Sequence, residues 1–263
     1  MMKPRALAIS CLAVSLVAGT VGTQAQLATA GASGIAMGHL HLTVRDAATD
    51  RTFWAALGGT AVQNGNLQLI QFPGTFVMLR QAQPGGGTIG STVDHVTFRV
   101  RNLQASIERW SREAGIIVGA DKAITTPDGM RIQLVDDASS DSPVRMGSIA
   151  FLTIAPQETQ AWYVKQFGAT PGKPGGAITA TLPGVMLEFG KADTAPATTR
   201  GRVLDHIGFE VKGLEEFCKK LEAAGIKLDR PFTRLPNSST AIAFLTDPWG
   251  TYIELTENLA PAK

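Results

Sequence analysis

Four segments of this 263-residue chain repeat one pattern, and the repetition limits the fold more than any other feature. A strand-like alternation that begins at a histidine occurs in "VDHVTFRV" (93–100), in "LDHIGFEV" (204–211) and, less closely, in "GHLHLTV" (38–44). All four histidines of the chain fall in these three stretches. Each segment also closes on a strand-like run after a Gly turn, at 74–79, 129–134, 184–189 and 250–255. Such a repeat indicates one supersecondary unit used several times.

Stretches rich in Gly, Pro, Ser, Thr and Ala separate the segments at 81–92, 138–147 and 191–202. They predict four modules, which span 36–80, 93–137, 148–190 and 203–257. The first and third modules predict a short helix with a tryptophan just before a Gly-containing turn, whereas the second and fourth predict a longer amphipathic helix that ends in Ala-Gly-Ile. This alternation indicates a duplicated pair of modules, and we expect two domains, 36–137 and 148–257.

The fourth module shows how a strand and its helix fit together. Ile207, Phe209 and Val211 alternate along the opening strand, so they point to one face, and His206 points to the other. Apolar residues also recur at helical spacing in the helix that follows, at Leu214, Phe217, Leu221 and Ala224. We expect the apolar face of the strand to pack under this helix, and the histidines to line a relatively polar hollow on the opposite face.

The first 30 residues are predicted to be a leader. A basic start, "MMKPR", precedes the apolar run "ALAISCLAVSLVAG", which has the length of a signal-peptide core. Small residues follow, and we expect cleavage after Ala25 or Ala30. The run is short for a membrane anchor, which needs about 20 apolar residues. The expected product is an exported protein, periplasmic or secreted, whose mature form has no membrane segment.

Charge and cysteine content narrow the class of partner. The chain has 24 basic and 22 acidic residues, and loss of the leader removes Lys3 and Arg5, so the mature chain is close to neutral. The absence of a basic stripe argues against nucleic acid as a partner and favours a small molecule. Cys218 is the single cysteine after the leader, so no internal disulfide is expected. Four modules in one chain also make a monomer plausible.

The repeated unit resembles the βαβββ module of the vicinal oxygen chelate superfamily, which includes glyoxalase I, bleomycin-resistance proteins and extradiol dioxygenases. In the fourth module, "DHIGFEV" and "FLTDPWGTYIEL" are similar to the opening His strand and the Asp-Pro-x-Gly-x-x-Ile-Glu ending of that family. "DHVTFRV" and "TPDGMRIQL" carry the resemblance in the second module. The resemblance implies an α+β fold in which four βαβββ modules form two incomplete, half-open β-barrels with helices packed outside.

The resemblance also implies a divalent-metal site built from the first and last strands of paired modules. The first-strand positions correspond to His39, His95, Ile149 and His206. The last-strand positions correspond to Met78, Gln133, Glu188 and Glu254. Ile149 has no donor atom, Met78 is a soft thioether and Gln133 lacks charge. Which intact donors meet therefore depends on how the modules pair.

Two pairings are open at this point. If neighbours pair, modules one and two bring together His39 and His95 without a carboxylate, and modules three and four bring together Glu188, His206 and Glu254. If modules one and four pair, His39, His206 and Glu254 meet as two imidazoles and one carboxylate, with positions left for substrate. We favour the second set as metal ligands because it concentrates the intact donors.

The residue types leave the reaction open. With Zn, Ni, Mn or Fe(II) bound, the resemblance implies a lyase, an isomerase or a dioxygenase acting on a small oxygen-chelating substrate. Glu254 or Glu188 is the expected catalytic general base. His41, two residues after His39 and on the same face, is either an alternative ligand or a partner that orients one. The alternative function is metal-free binding of a small molecule or antibiotic, as in bleomycin-resistance proteins.

Overall fold

The computed structural model describes residues 27–260. Nearly all of the predicted leader, residues 1–26, lies outside the described residues. None of the helices in the described part is long and apolar enough to cross a membrane.

The described chain forms four modules in which a strand and a helix are followed by further strands. The first contains β1 (Ile35–Val44), α1 (Ala47–Leu57), β2 (Thr60–Asn64), β3 (Leu67–Phe72) and β4 (Thr75–Gln81). The second contains β5 (Val93–Val100), α2 (Leu103–Ala114), β6 (Ala123–Thr125) and β7 (Arg131–Asp136). The third contains β8 (Val144–Thr153), α3 (Pro156–Phe167), β9 (Thr170–Gly172), a 3-10 turn (Pro174–Gly176), β10 (Ile178–Leu182) and β11 (Val185–Lys191). The fourth contains β12 (Leu204–Val211), α4 (Leu214–Ala223), β13 (Leu228–Arg234), β14 (Ala241–Thr246) and β15 (Tyr252–Glu257).

Two details of the modules differ from the sequence prediction. The second module has two strands after its helix, and a turn precedes β6, in which Lys122 has a left-handed φ of 58° and its N–H donates to the Gly119 carbonyl. The four helices have 11, 12, 12 and 10 residues, so the predicted contrast between short and long helices is wrong. α1 and α3 begin earlier than their tryptophan-containing stretches, since Asp46 caps α1 and Pro156 starts α3.

The modules pair outer with outer and inner with inner. An eight-stranded sheet, in the order β13-β14-β15-β12-β1-β4-β3-β2, joins modules four and one. A seven-stranded sheet, in the order β6-β7-β5-β8-β11-β10-β9, joins modules two and three. In each sheet the two opening strands run antiparallel at the centre, and each has its own closing strand as its parallel neighbour. The expected halves 36–137 and 148–257 therefore do not coincide with the sheets, because each sheet takes one module from each half.

The helix-facing side of the sheets forms the hydrophobic core, as the alternation predicts. Ile207, Phe209 and Val211 are buried in the same apolar cluster as Leu214, Phe217 and Leu221 of α4. Each such side chain contributes about 1.5–3 kcal/mol when it is fully buried. Ala224 is exposed just beyond the end of the helix, and Cys218 is buried instead.

The face of the eight-stranded sheet that is opposite the core, here called the hollow face, is only partly polar. Phe76 is the register partner of His39, so the two share this face. Phe76, Leu69 and Leu259 form a separate small apolar cluster in which each side chain is almost fully buried. Asn64 Nδ2 donates to the Leu259 carbonyl at 2.8 Å and holds that segment in place. The first module's share of the hollow is thus filled by apolar side chains, which the prediction of a polar face missed.

Asp50 on α1 is a buried acid without a compensating contact. The residue has no exposed surface, and neither carboxyl oxygen has a hydrogen-bond partner among residues 27–260. Burial and the negative charge of Asp128 raise the pKa of Asp50 to about 7. The folded chain therefore keeps a proton on Asp50 at mildly acidic pH that the unfolded chain releases.

We expect Asp50→Asn to be more stable than the wild type at pH 8, by roughly 3–4 kcal/mol, and to match it near pH 4. A carboxyl group whose pKa is raised by folding stabilises the folded chain when the pH is below the pKa of the unfolded state. This stabilisation is lost as the pH rises through the pKa of the folded state. Urea unfolding at the two pH values measures the difference. Asp193→Asn, at an exposed position, is the control. A stability gain that is the same at both pH values would contradict this account.

Candidate metal centre

Two adjacent rows of side chains cross the hollow face where modules one and four meet. Cross-strand pairing builds the first row from Phe76, His39, Gly208, Glu254 and Phe244. The second row contains Met78, His41 and His206. Because the rows cross the junction of β1 and β12, donors from the first and last modules converge at the centre of the sheet.

Glu254 lies between the two histidines that the sequence analysis favours. Its Oε2 is 3.0 Å from His39 Nε2 and 2.9 Å from His206 Nε2. All three residues are buried. Burial alone would raise the pKa of Glu254, but the hydrogen bonds from His206 and His39 outweigh it and hold that pKa well below its usual range. Glu254 is therefore an ionised carboxylate at neutral pH.

Asp205 fixes the orientation of His206. Its Oδ1 lies 2.7 Å from His206 Nδ1, which leaves Nε2 directed at Glu254. The other oxygen of Asp205 accepts from the Gly201 N–H at 2.7 Å and lies 3.7 Å from the Arg80 guanidinium. Burial lowers the pKa of His206, but the bonds to Asp205 and Glu254 raise it by more. A carboxylate behind an imidazole is the usual support of a metal-ligating histidine.

Gly208 makes room for His39. The His39 ring lies across β12, in the space that a side chain at Gly208 would fill, and a Cβ there would overlap the ring. The ring thereby reaches Glu254 on the next strand. Sequence reasoning passed over this role, although a glycine inside a strand often marks a close approach.

The donor chemistry fits a divalent transition-metal ion. One nitrogen each of His39, His41 and His206 and one oxygen of Glu254 all lie within 4.8 Å of one another. Within the described chain, His39 Nδ1 and both nitrogens of His41 are buried without a hydrogen-bond partner. Imidazole and carboxylate are the common ligands of zinc, nickel and iron. The predicted set of His39, His206 and Glu254 is thus brought together by the fold.

The other predicted positions lie in the seven-stranded sheet. Glu188 on β11 pairs in register with Ala150 of β8, so the structure does not bring it to Glu254. His95 contacts Asp94 at 2.8 Å. Gln133 Nε2 donates to the Asp121 carbonyl at 2.7 Å. No cluster of three or more metal-binding side chains other than that around Glu254 occurs among the described residues.

Ile149 is a misassigned position rather than a lost ligand. It pairs with Val96, and both are fully buried in the hydrophobic core. The register places Ser148, one residue earlier, on the side of Thr97, opposite the core. Since strand side chains alternate, an alignment shifted by one residue exchanges the two faces.

An aromatic wall borders the centre on the side of the fourth module. Phe244 and Tyr252 stack with their ring centroids 5.2 Å apart. Each of them makes an edge-to-face contact with the His206 ring, with centroid distances of 5.4 and 5.5 Å. The Arg200 guanidinium lies over Tyr252 at 4.5 Å. Tyr252 precedes Glu254 by two residues, so strand alternation could have placed it on the same face. The wall lowers the local dielectric constant, which strengthens the charge interactions of Glu254.

The comparisons agree with this geometry. Residues 92–255 match the family model "Glyoxalase/Bleomycin resistance protein/Dioxygenase superfamily", and this range is more than half of the chain. The chain belongs to that superfamily. No curated protein matches the sequence.

Solved structures with the same fold cover most of the chain. Glyoxalase I from Zea mays is 18% identical with a TM-score of 0.68, and the match covers 85% of this chain and 92% of that one. A candidate dioxygenase from Bacillus subtilis is 14% identical with a TM-score of 0.64, and the match covers 90% and 87%. At these identities the likeness establishes the fold, with two half-open barrels, and leaves the activity to the site.

We expect Gly208→Ala to destabilise the folded chain by about 1–3 kcal/mol and to displace His39 from Glu254, because the added methyl group overlaps the ring. Urea unfolding measures the first effect, and histidine NMR shifts measure the second. Gly190→Ala is the matched control, since it adds a Cβ inside a strand of the other sheet, 3.1 Å from the flexible end of Leu152. Equal, small effects in both variants would show that His39 does not need this space.

Proposed function

We propose that this chain is a metal-dependent enzyme that binds a small substrate through two neighbouring oxygen atoms and catalyses a lyase, isomerase or dioxygenase reaction. The observation that carries the proposal is the convergence of His39 and His206 on one oxygen of the Glu254 carboxylate. Membership of the superfamily supports the choice of reaction classes.

The three side chains would hold a divalent ion, and that ion would act as a Lewis acid toward the substrate oxygens or a bound water. Asp205 keeps Nε2 of His206 directed at the centre. Both histidines contact Oε2 of Glu254, so Oε1 is the oxygen available to take a proton from a carbon next to a carbonyl group. We assign the general base to Glu254 alone, because Glu188 lies in the other sheet.

The depressed pKa of Glu254 bears on this role. An ionised carboxylate that accepts two hydrogen bonds is a good ligand but a weak base. An ion bound by Glu254 would replace those hydrogen bonds, but its positive charge would also keep the pKa of the carboxylate low. The general-base role therefore requires Glu254 to exchange between binding the ion and accepting a proton.

Metal analysis of the purified chain tests the proposal. We expect about one ion per chain in the wild type and almost none in the double variant His206→Ala, Glu254→Ala, because two of the three donors are lost. The matched control is His95→Ala, Glu188→Ala, which removes the same residue types from the seven-stranded sheet and should keep its ion.

Equal, near-zero metal in all three proteins, after purification without chelators and incubation with Zn²⁺, Ni²⁺, Mn²⁺ or Fe²⁺, would overturn the proposal. That result would favour the metal-free binding protein, whose ligand would then rest on the aromatic wall. If the chain retains iron, the result favours a dioxygenase. If it retains a redox-inert ion such as Zn²⁺, the result favours a lyase or an isomerase.

We also propose that the chain is exported, with cleavage after Ala25 rather than after Ala30. Leu27 packs against the cluster of Leu69, Phe76 and Leu259, and cleavage after Ala30 would remove it. In a host that processes signal peptides, mass spectrometry of the exported chain should show Gln26 as its first residue. A chain that begins at Gly31, or one that keeps Met1, would contradict this assignment.

A further inference from the structure

We propose that His41 is a fourth protein ligand of the centre, so that the ion is held by three imidazoles and one carboxylate. This inference rests on the proposed function, because it assumes that the site binds a metal ion. The inference goes beyond the proposed function because it assigns all the protein ligands of the ion, and these ligands favour some ions over others.

His41 lies inside the cluster rather than beside it. It is the register partner of His206 on β12 and of Met78 on β4, so its side chain emerges between them on the hollow face. Its ring centroid is 4.3 Å from that of His206 and 6.4 Å from that of His39. One of its nitrogens lies within 4.8 Å of the donor atoms of the other three residues. Donor atoms that share one ion at about 2.0–2.1 Å lie about 3–4 Å apart, so binding would draw these atoms slightly closer together.

The hydrogen bonding of His41 sets it apart from its neighbours. His39 and His206 each use Nε2 toward Glu254, whereas both nitrogens of His41 are buried and have no partner within residues 27–260. A buried polar atom without a partner costs about 1–3 kcal/mol. A proton-relay residue would need a hydrogen bond to His206 or Glu254, and His41 makes neither in the described chain. Ligation would give one of these two nitrogens a partner.

The pseudo-symmetry of the sheet shows what His41 replaces. Across the β1–β12 junction, Met78 pairs with His41 in the same way as Glu254 pairs with Gly208. On the side of the fourth module the closing strand supplies a carboxylate, and the neighbouring opening strand carries a glycine. On the side of the first module the closing strand supplies a weakly ligating thioether, and the neighbouring opening strand carries an imidazole. The fourth donor has moved from the closing strand to the opening strand.

Common descent of the repeats does not account for His41. By register, the equivalent positions of the other opening strands hold Thr97, Ala150 and Gly208. His39, by contrast, has counterparts in His95 and His206. The imidazole at position 41 is therefore particular to this one face of this one sheet.

Three nitrogens and one carboxylate oxygen favour Cu²⁺, Ni²⁺, Co²⁺ and Zn²⁺ over Mn²⁺ and Mg²⁺, because imidazole is a better ligand for the former ions. Four protein donors would leave a tetrahedral ion no position for substrate. The proposed catalysis through two substrate oxygens therefore selects an ion that accepts five or six ligands.

X-ray absorption of the Co²⁺-loaded chain tests the assignment directly by counting imidazoles. We expect three in the wild type, two in His41→Gln and three in the control His95→Gln. Competition with a chromogenic chelator should show Co²⁺ binding at least about ten-fold weaker in His41→Gln than in the control. Circular dichroism checks that each variant is folded. If His41→Gln does not fold, the number of imidazoles bound to Co²⁺ in the wild type still tests the assignment.

Two imidazoles in the wild type, or a count that His41→Gln leaves unchanged, would overturn this assignment and leave the proposed function intact. A wild-type chain that binds no Co²⁺ and holds no other ion would overturn both. The number of imidazoles bound to Co²⁺ separates a ligand from a residue that merely positions one, because loss of a positioning residue leaves that number at three.

Discussion

The antiparallel pairing of β1 with β12 is the contact on which the candidate centre depends. It brings His39 within 3.0 Å of Glu254, although 215 positions separate them in the sequence. The buried face of each strand fixes the register, since a slip of one residue would turn the histidines into the core and the apolar side chains into the hollow. Register shifts at Met37/His39 and at His41/Leu42 lie on either side of the two histidines, as strand irregularities often do near functional sites.

The seven-stranded sheet shows that antiparallel pairing of two opening strands is not sufficient to form such a cluster of donors. Its central pair, β5 with β8, carries register shifts at the corresponding places, Val93/His95 and Thr97/Phe98. Its hollow-side positions nevertheless hold Ser148 and Gln133 where the other sheet holds His39 and Glu254. Glu188 has Ala150, which carries no donor atom, as its strand neighbour. The two sheets share a geometry, but among the described residues a possible metal-binding cluster occurs in one of them.

Burial explains how the centre can concentrate charge. Glu254 is removed from water, and the imidazoles around it replace the lost solvation. Phe244 and Tyr252 exclude water on one side, and the apolar cluster of Phe76, Leu69 and Leu259 does so on the other. In such surroundings electrostatic contacts are stronger than in water, and an unpaired polar atom is correspondingly costly. The nitrogens of His41 are therefore informative, because His41 is the one ring of the cluster in which neither nitrogen has a partner among the described residues.

The sequence by itself determined the modules, their opening and closing strands, the two faces of each strand, and the identity of His39, His206 and Glu254 as candidate donors. The modules and the faces of their strands follow from local periodicity, whereas the candidate donors follow from the resemblance to the superfamily. The helix lengths were not predicted correctly, because the start of α1 is set by the cap at Asp46 and that of α3 by Pro156. The face on which Ile149 lies was also predicted wrongly, because a shift of one residue along a strand reverses the face. Only the tertiary structure decided which modules pair, that Gly208 gives way to the His39 ring, and that Asp205 stands behind His206. These are contacts between distant strands, and their energy depends on register and packing rather than on local pattern.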